Sequence, residues 1–230
     1  MRSGAPNQLG MMVNLGFNAG QPVLLAQGMY VGDRSDGLQS LASLMAFPSS
    51  QLLVDTSGPY GAMDVYLDTN PYVIPNPPPG AKEAKRAGYI GKTLALSDWQ
   101  AIVAYAQTTP NQINTAIIEP YGGAINAYPK LGSAFVHRDC DMDFFVDAYW
   151  VDDADKAAAL RWLEGYMALL KPHCNGHVYQ NYPWRELDDF AFAYWGEAYP
   201  KLQQVKATYD PENFFRFEQS IRPPLTAAAD

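Results

Sequence analysis

Three groups of side chains have the types and spacing for chemistry. In Phe144-Phe145-Val146-Asp147-Ala148-Tyr149-Trp150, a strand would place residues 145, 147 and 149 on one face. A carboxylate set between two aromatics there either points to solvent or is buried with a task. The second group is Tyr179-Gln180-Asn181-Tyr182-Pro183. Its asparagine amide both donates and accepts. A phenol with the ordinary pKa of about 10 is a poor base at neutral pH, unless a nearby cation lowers it or a second acceptor takes its proton onward. Strand tyrosines are usually structural, so the residues alone leave Tyr182 open. The third group is His173, Cys174 and His177, with Cys140 elsewhere. Asn175-Gly176 breaks any helix that would align the two histidines, and no second ligand pair is present, so no metal site is expected. Arg138 either meets an anionic group or pairs with Asp139 or Asp141, the plainer account. No Gly-x-Ser-x-Gly elbow for hydrolysis occurs.

These groups need elements to position them. Apolar stretches at 9–17 and 23–30, separated by Asn18-Ala19-Gly20-Gln21-Pro22, predict two strands joined by a turn. Residues 38–47 and 96–106 carry helical periods, with Ser97-Asp98 as the cap of the second. The stretch 154–170 is the clearest helix, with Leu160, Leu163, Tyr166, Met167 and Leu170 on one stripe. Further strands are expected at 51–55, 114–120, 134–136 and 143–150, and a short helix at 60–67. Asp68-Thr69-Asn70-Pro71 and Pro75-Asn76-Pro77-Pro78-Pro79-Gly80 read as an ordered surface loop or lid. Hairpins together with covering helices point to an α+β fold.

Composition narrows the function. The 230 residues include 15 Tyr, 10 Phe and 5 Trp, enough to bury a substantial core. A net charge of −8 with scattered Lys and Arg argues against a nucleic-acid partner. No apolar run approaches the roughly 20 residues of a membrane span. The N-terminus, Met1-Arg2-Ser3-Gly4-Ala5-Pro6, lacks a secretory apolar core, and two cysteines make no disulfide framework. Cytoplasm is the favoured compartment.

The C-terminal region carries the most specific signal. Tyr194-Trp195-Gly196-Glu197-Ala198-Tyr199-Pro200-Lys201-Leu202 is followed by Val205-Lys206-Ala207-Thr208-Tyr209-Asp210-Pro211-Glu212-Asn213-Phe214-Phe215-Arg216-Phe217-Glu218-Gln219-Ser220-Ile221. Physically this is an aromatic helix, stopped at Asp210-Pro211 and continued as an apolar tail. Phe214, Phe215, Phe217 and Ile221 then need cover. The string resembles the C-terminal segment of berberine-bridge-enzyme-like flavin oxidoreductases, and Tyr179-Gln180-Asn181-Tyr182 resembles that family's Tyr-x-Asn-Tyr stretch. Glu119-Pro120-Tyr121-Gly122-Gly123 and Ala134-Phe135-Val136-His137-Arg138 also have counterparts in its substrate domain.

The resemblance implies a large antiparallel β-sheet covered by helices on one face, the other face lining a substrate pocket against the flavin. It implies a substrate-binding domain over 1–190, a C-terminal segment over 191–222 packing toward an FAD-binding domain, and a tail over 223–230. It implies FAD as cofactor, with Tyr179 and Asn181 as flavin contacts. Tyr182 would be the proton acceptor, aided by Asp147. Phe145 and Tyr149 would line the site of a small organic substrate, an alcohol oxidised by hydride transfer with dioxygen as the later electron acceptor. Phe145 departs from a glutamine frequent in the family, which favours a more apolar substrate than a sugar. The family's FAD-binding domain, with its glycine-rich pyrophosphate loop, precedes this region; here Gly122-Gly123 reads as a bend between strands. The expected partner is therefore an FAD-binding domain or subunit. The rival expectations are a subunit of a split flavoenzyme and a flavin-less binding module.

Overall fold

The computed structural model describes residues 5–69 and 77–224. Five strands, β1 (Leu9–Asn18), β2 (Gln21–Tyr30), β3 (Lys82–Ile90), β4 (Thr115–Pro120) and β5 (Met142–Trp150), form one antiparallel sheet in the order β2-β1-β4-β5-β3. The β1–β2 hairpin closes through Ala19 and Gly20, both at positive φ (47° and 81°), between the facing residues Asn18 and Gln21. That conformation matches the twist of a tight hairpin, at the expense of a strained Cβ at Ala19.

The helices are α1 (Arg34–Ser40), α2 (Ala42–Met45), α3 (Tyr60–Thr69), α4 (Leu96–Ala106), α5 (Gly123–Ala127), α6 (Lys156–Leu170), α7 (Phe190–Trp195) and α8 (Tyr199–Tyr209). Strand alternation divides β5 cleanly. Phe144, Val146, Ala148 and Trp150 face α6, where Leu163, Tyr166 and Leu170 are fully buried. Three bonds lock α4 to α6: Tyr166 Oη donates to the Ile102 carbonyl at 3.0 Å, Trp162 Nε1 to that of Tyr105 at 3.3 Å, and Tyr105 Oη to that of Trp162 at 3.4 Å. Asp98 caps α4 by accepting the Ala95 N–H at 2.7 Å.

Gly165 sits where α6 meets Tyr105: a Cβ built there falls 1.9 Å from Tyr105 Oη. Gly165→Ala is therefore expected to destabilise the chain by about 1 kcal/mol or more, against the usual helix-favouring sign of that exchange. Urea unfolding checks it, and adding Tyr105→Phe should recover most of the loss. An unchanged or raised midpoint for Gly165→Ala alone refutes the packing argument.

Several expected elements differ. The helix expected over 38–47 splits into α1 and α2; Ser40 Oγ donates back to the Asp36 carbonyl at 2.8 Å, a bond that weakens a helix end. Residues 51–55 and 134–136 form no strand, because neither pairs with the sheet. Asp55 instead pairs with Arg34. Gly122-Gly123 is more than a bend, since Gly123 opens α5. Most of the proline-rich loop lies outside the described residues; at its end a turn closes from Ala81 N–H to the Pro78 carbonyl at 3.1 Å.

After α8 the chain turns at Asp210. Its carboxylate accepts the N–H groups of Phe214 (2.7 Å) and Phe215 (3.1 Å) and pairs with Lys206. Asn213 takes the left-handed turn at φ 52°. Phe214, Phe215 and Phe217 stay 76, 74 and 72% exposed, so nothing among the described residues covers them, while Ile221 is half-buried.

Candidate active site

The sheet face opposite α6 carries the chemistry. Register sets three rows across β3, β5 and β4: Lys85–Asp147–Thr115, Ala87–Phe145–Ile117 and Tyr89–Asp143–Glu119. Each row presents its side chains on one face because the three positions are directly opposed. Tyr149 shares the face, and its backbone is fixed by Asn114 Oδ1, which accepts its N–H at 2.6 Å, and by Asn111 Nδ2, which donates to its carbonyl at 2.8 Å.

Over these rows lies the stretch from Cys174 to Leu187. It runs first beside the end of β3, with Asn175 N–H on the Tyr89 carbonyl (3.0 Å) and Tyr89 N–H on that of His177 (3.1 Å). The Tyr179–Tyr182 stretch joins no strand of the sheet. It is a turn, closed by Tyr182 N–H on the Tyr179 carbonyl at 2.9 Å. Pro183 has no N–H for a ladder, and it restricts the residue before it. Tyr194 and Gln219 hold the following residues: Tyr194 Oη accepts the Trp184 N–H at 2.9 Å, and Gln219 Nε2 donates to the Trp184 carbonyl at 2.7 Å.

The turn sets Tyr182 onto the sheet. Its ring packs on Phe145 with centroids 4.5 Å apart, and its hydroxyl donates to Glu119 Oε1 at 3.4 Å. Lys85 Nζ lies 4.7 Å from the Tyr182 ring centroid and 4.3 Å from that of Phe145. It also lies 2.6 Å from Asp147 Oδ1, an ion pair whose angle is poor for a hydrogen bond. Tyr182 and Asp147 thus share one face without bonding to each other. Lys85 stands between them, and the phenol turns to Glu119. Phe145 is nearly buried beneath Tyr182 and Lys85. Tyr179 packs edge-on to Tyr182 at 5.1 Å, and exposed Asn181 donates from Nδ2 to Tyr179 Oη at 2.8 Å.

The electrostatics are those of buried acids. Asp143 is wholly buried with neither carboxylate oxygen in a good hydrogen bond; burial and the facing Glu119 push its pKa up to about 7, which the Phe144 amide and Lys85 only partly offset. Burial raises Asp147 to about 6 despite Lys85. Glu119 is also raised by burial, against the Tyr182 hydroxyl and Lys85. Burial first, then Glu119 and Asp143, push the Tyr182 phenol above its ordinary range. The lowered phenol that a tyrosinate base requires is therefore absent here. Tyr182 is instead a proton-holding group with a carboxylate at its hydroxyl.

Beside this, His137 is fully buried, stacked on Tyr89 at 4.3 Å and 5.4 Å from His177. Burial and His177 depress it to about 4, with Gln180 and the Tyr194 backbone a smaller opposing influence. Arg138 binds neither expected aspartate; it donates to the Ile125 carbonyl (3.0 Å) and covers the Tyr128 and Phe135 rings. Among the described residues no three His, Cys, Asp or Glu side chains gather as a metal site, and no helix is long and apolar enough to cross a membrane.

Sequence reasoning missed Lys85, Glu119 and Asp143. Asp143 was findable, because the alternation that joins 145, 147 and 149 extends two residues back. An exposed amide next to two phenols is a donor and acceptor set that suits the polar edge of a flavin ring.

Comparison with known proteins points to one family. Residues 178–222, which include the Tyr179–Tyr182 turn, α7, α8 and the aromatic tail, match the family model "Berberine and berberine like". An uncharacterized FAD-linked oxidoreductase of Bacillus subtilis, YgaK, is 32% identical over 207 residues, covering 87% of this chain and 43% of that protein. Chitooligosaccharide oxidase of Gibberella zeae is 28% identical over 240 residues, covering 96% of this chain and 47% of that protein. The chain thus spans about half the length of these curated relatives. Among solved structures, berberine bridge enzyme from Eschscholzia californica superposes with a TM-score of 0.79 at 18% identity, over 96% of this chain and 50% of that one. Physcomitrella patens BBE-like 1 gives 0.75 at 22% identity, over 92% and 47%. At these identities the likeness is one of fold.

Proposed function

We propose that this chain, which belongs to the berberine-bridge-enzyme-like family of FAD-linked oxidoreductases, is the substrate-side half of an enzyme that oxidises an alcohol or similar small organic molecule. The observation that carries this reading is the Tyr179–Tyr182 turn. It lies within the matched segment and seats the Tyr182 hydroxyl 3.4 Å from Glu119 over a sheet face of buried carboxylates. Tyr179 and Asn181 would hold the flavin ring, and Phe145 and Tyr149 would shape the substrate's surroundings. FAD, when bound, supplies the two-electron acceptor that no side chain can provide, with dioxygen taking the electrons afterwards.

The residues of this chain do the proton work. Tyr182 receives the substrate hydroxyl proton, and Lys85 with Asp147 keeps its ring in place. The aromatic surroundings favour an apolar alcohol over a sugar. The exposed Phe214, Phe215 and Phe217 form the face that an FAD-binding domain or subunit would cover.

The test is assembly. This chain produced alone is expected to carry little or no FAD; produced with an FAD-binding half of a berberine-bridge-type protein, it should copurify as a yellow complex with the flavin's visible absorbance. Stoichiometric FAD on the chain alone overturns this division of labour. A complex that forms but stays colourless favours the flavin-less binding module instead.

A further inference from the structure

Glu119 and Asp143 face each other directly across β4 and β5, so their carboxyl groups stand side by side on the site face. Two like charges so placed, one wholly buried and the other half-buried, cannot both be ionised without penalty. Asp143 has no good hydrogen bond to relieve it, and Glu119 has the Tyr182 hydroxyl. We propose that the Glu119–Asp143 pair is the acceptor for the Tyr182 proton. The pair holds one proton of its own near neutrality and takes a second as Tyr182 receives one from substrate.

This rests on the oxidoreductase reading, which it deepens. The step balances: the substrate O–H bond breaks as Tyr182 Oη gains that proton, and the original Tyr182 O–H bond breaks as Glu119 Oε1 gains its proton. Tyr182 ends as it began, neutral, so its high proton affinity is no obstacle, since no free tyrosinate forms. FAD, when bound, would take up the substrate's electron pair with its hydride, so oxidation and proton release would stay coupled. Glu119 acts through Tyr182 and not on substrate, which makes it a positioning and relay residue.

The groups that face the pair are Lys85 and Tyr89 from β3, Tyr121 just after β4, Cys174, and Tyr182 from the turn. Asp147, which also charges in this range, is held off by Lys85. Of the five facing groups Lys85 is the only cation, and it favours ionisation of both carboxyls; Asp143, wholly buried where Glu119 is only half-buried, is the one that keeps its proton. That ordering leaves the accepting oxygen free at the phenol and the stored proton behind it.

The decisive measurement uses this chain itself, with carbon-labelled Asp and Glu carboxyls and labelled Tyr ring carbons followed by NMR against pH. In the unaltered chain, one carboxyl step near pH 7 is expected, with an inflection of the Tyr182 ring carbon at the same pH. Glu119→Gln should abolish the Tyr182 inflection and move the Asp143 step down by about one pH unit. Glu119→Asp should restore part of the inflection. Should Glu119→Gln fail to fold, Asp143→Asn gives the complementary result, a Tyr182 inflection displaced to lower pH by the remaining Glu119. A pair fully ionised through neutral pH, or a Tyr182 signal indifferent to it, overturns the proposal.

In the flavin-loaded complex, reduction by vanillyl alcohol as probe should then quicken with pH as Glu119 ionises, before the carboxyl step near pH 7, and Glu119→Gln should slow it about 10²-fold and erase that pH dependence. Reduction that keeps its wild-type pH profile in Glu119→Gln overturns the relay alone. Intact NMR linkage in a complex whose flavin no alcohol reduces overturns the oxidoreductase reading instead, and leaves the proton site standing.

Discussion

Tyr182→Phe is expected to slow flavin reduction in the assembled enzyme by about 10²–10⁴-fold, with substrate affinity changed only a few-fold. The reason is that the exchange removes one atom. The ring keeps its packing on Phe145, with centroids 4.5 Å apart, and its place beside Lys85. The lost hydroxyl makes one long bond, 3.4 Å to Glu119, so the fold should barely respond. What disappears is the hydroxyl through which the proposed proton path runs to Glu119. Stopped-flow reduction isolates that half-reaction from reoxidation. Asp147→Asn should act on the same step and be non-additive with Tyr182→Phe, because Lys85 ties the two side chains into one unit. A Tyr182→Phe enzyme whose flavin is reduced at the wild-type rate would make the turn a wall of the site and nothing more.

Asp143→Asn should stabilise the chain, and only on the alkaline side. In the folded protein this carboxyl titrates at about 7, against an ordinary 3.8. The folded state therefore binds its proton more tightly than the unfolded one. Stability falls as pH rises from about 4 to about 7, and levels off above. An amide does not ionise, so the advantage of Asp143→Asn should be small near pH 4, grow through that window and reach a plateau above pH 7. A shift of this size corresponds to at most on the order of 4 kcal/mol, and loss of a charge facing Glu119 acts in the same direction. His137 works oppositely, since its depressed pKa withdraws stability as pH falls toward 4, but both proteins share it and it cancels from the comparison. Urea midpoints at pH 5 and pH 8 suffice. An equal increment at the two values would mean that Asp143 is not protonated in the fold.

The parts of this molecule that depend on local pattern were readable. The hairpin of β1 and β2, the helix α6 with its stripe, and the face shared by Phe145, Asp147 and Tyr149 follow from periods of 2 and 3.6 and from turn residues. The break at Asp210-Pro211 likewise follows from the ring. Pairing across the sheet was not readable, because which residue of β4 opposes Asp143 depends on a register set 24 positions away in the chain. The hydrogen-bond partner of the Tyr182 hydroxyl was hidden for the same reason. Its choice between Asp147 and Glu119 is decided by where Lys85 arrives from β3. The turn at Tyr179–Tyr182 shows a different limit, since alternating aromatics look extended whether or not a ladder awaits them.

The knot at Asp210 has a further consequence, for the thermodynamics of whatever docks on the tail. With the Phe214 and Phe215 amides and the Lys206 ammonium gathered on one carboxylate, the backbone that carries those two rings is already fixed before any contact is made. Docking therefore immobilises rings but little main chain, so most of the freedom a loose tail would surrender is not there to lose. Association should show the negative heat-capacity change of buried aromatic area without the large opposing entropy of a segment that folds on binding. Asp210→Ala would convert the same surface into a tail of that second kind.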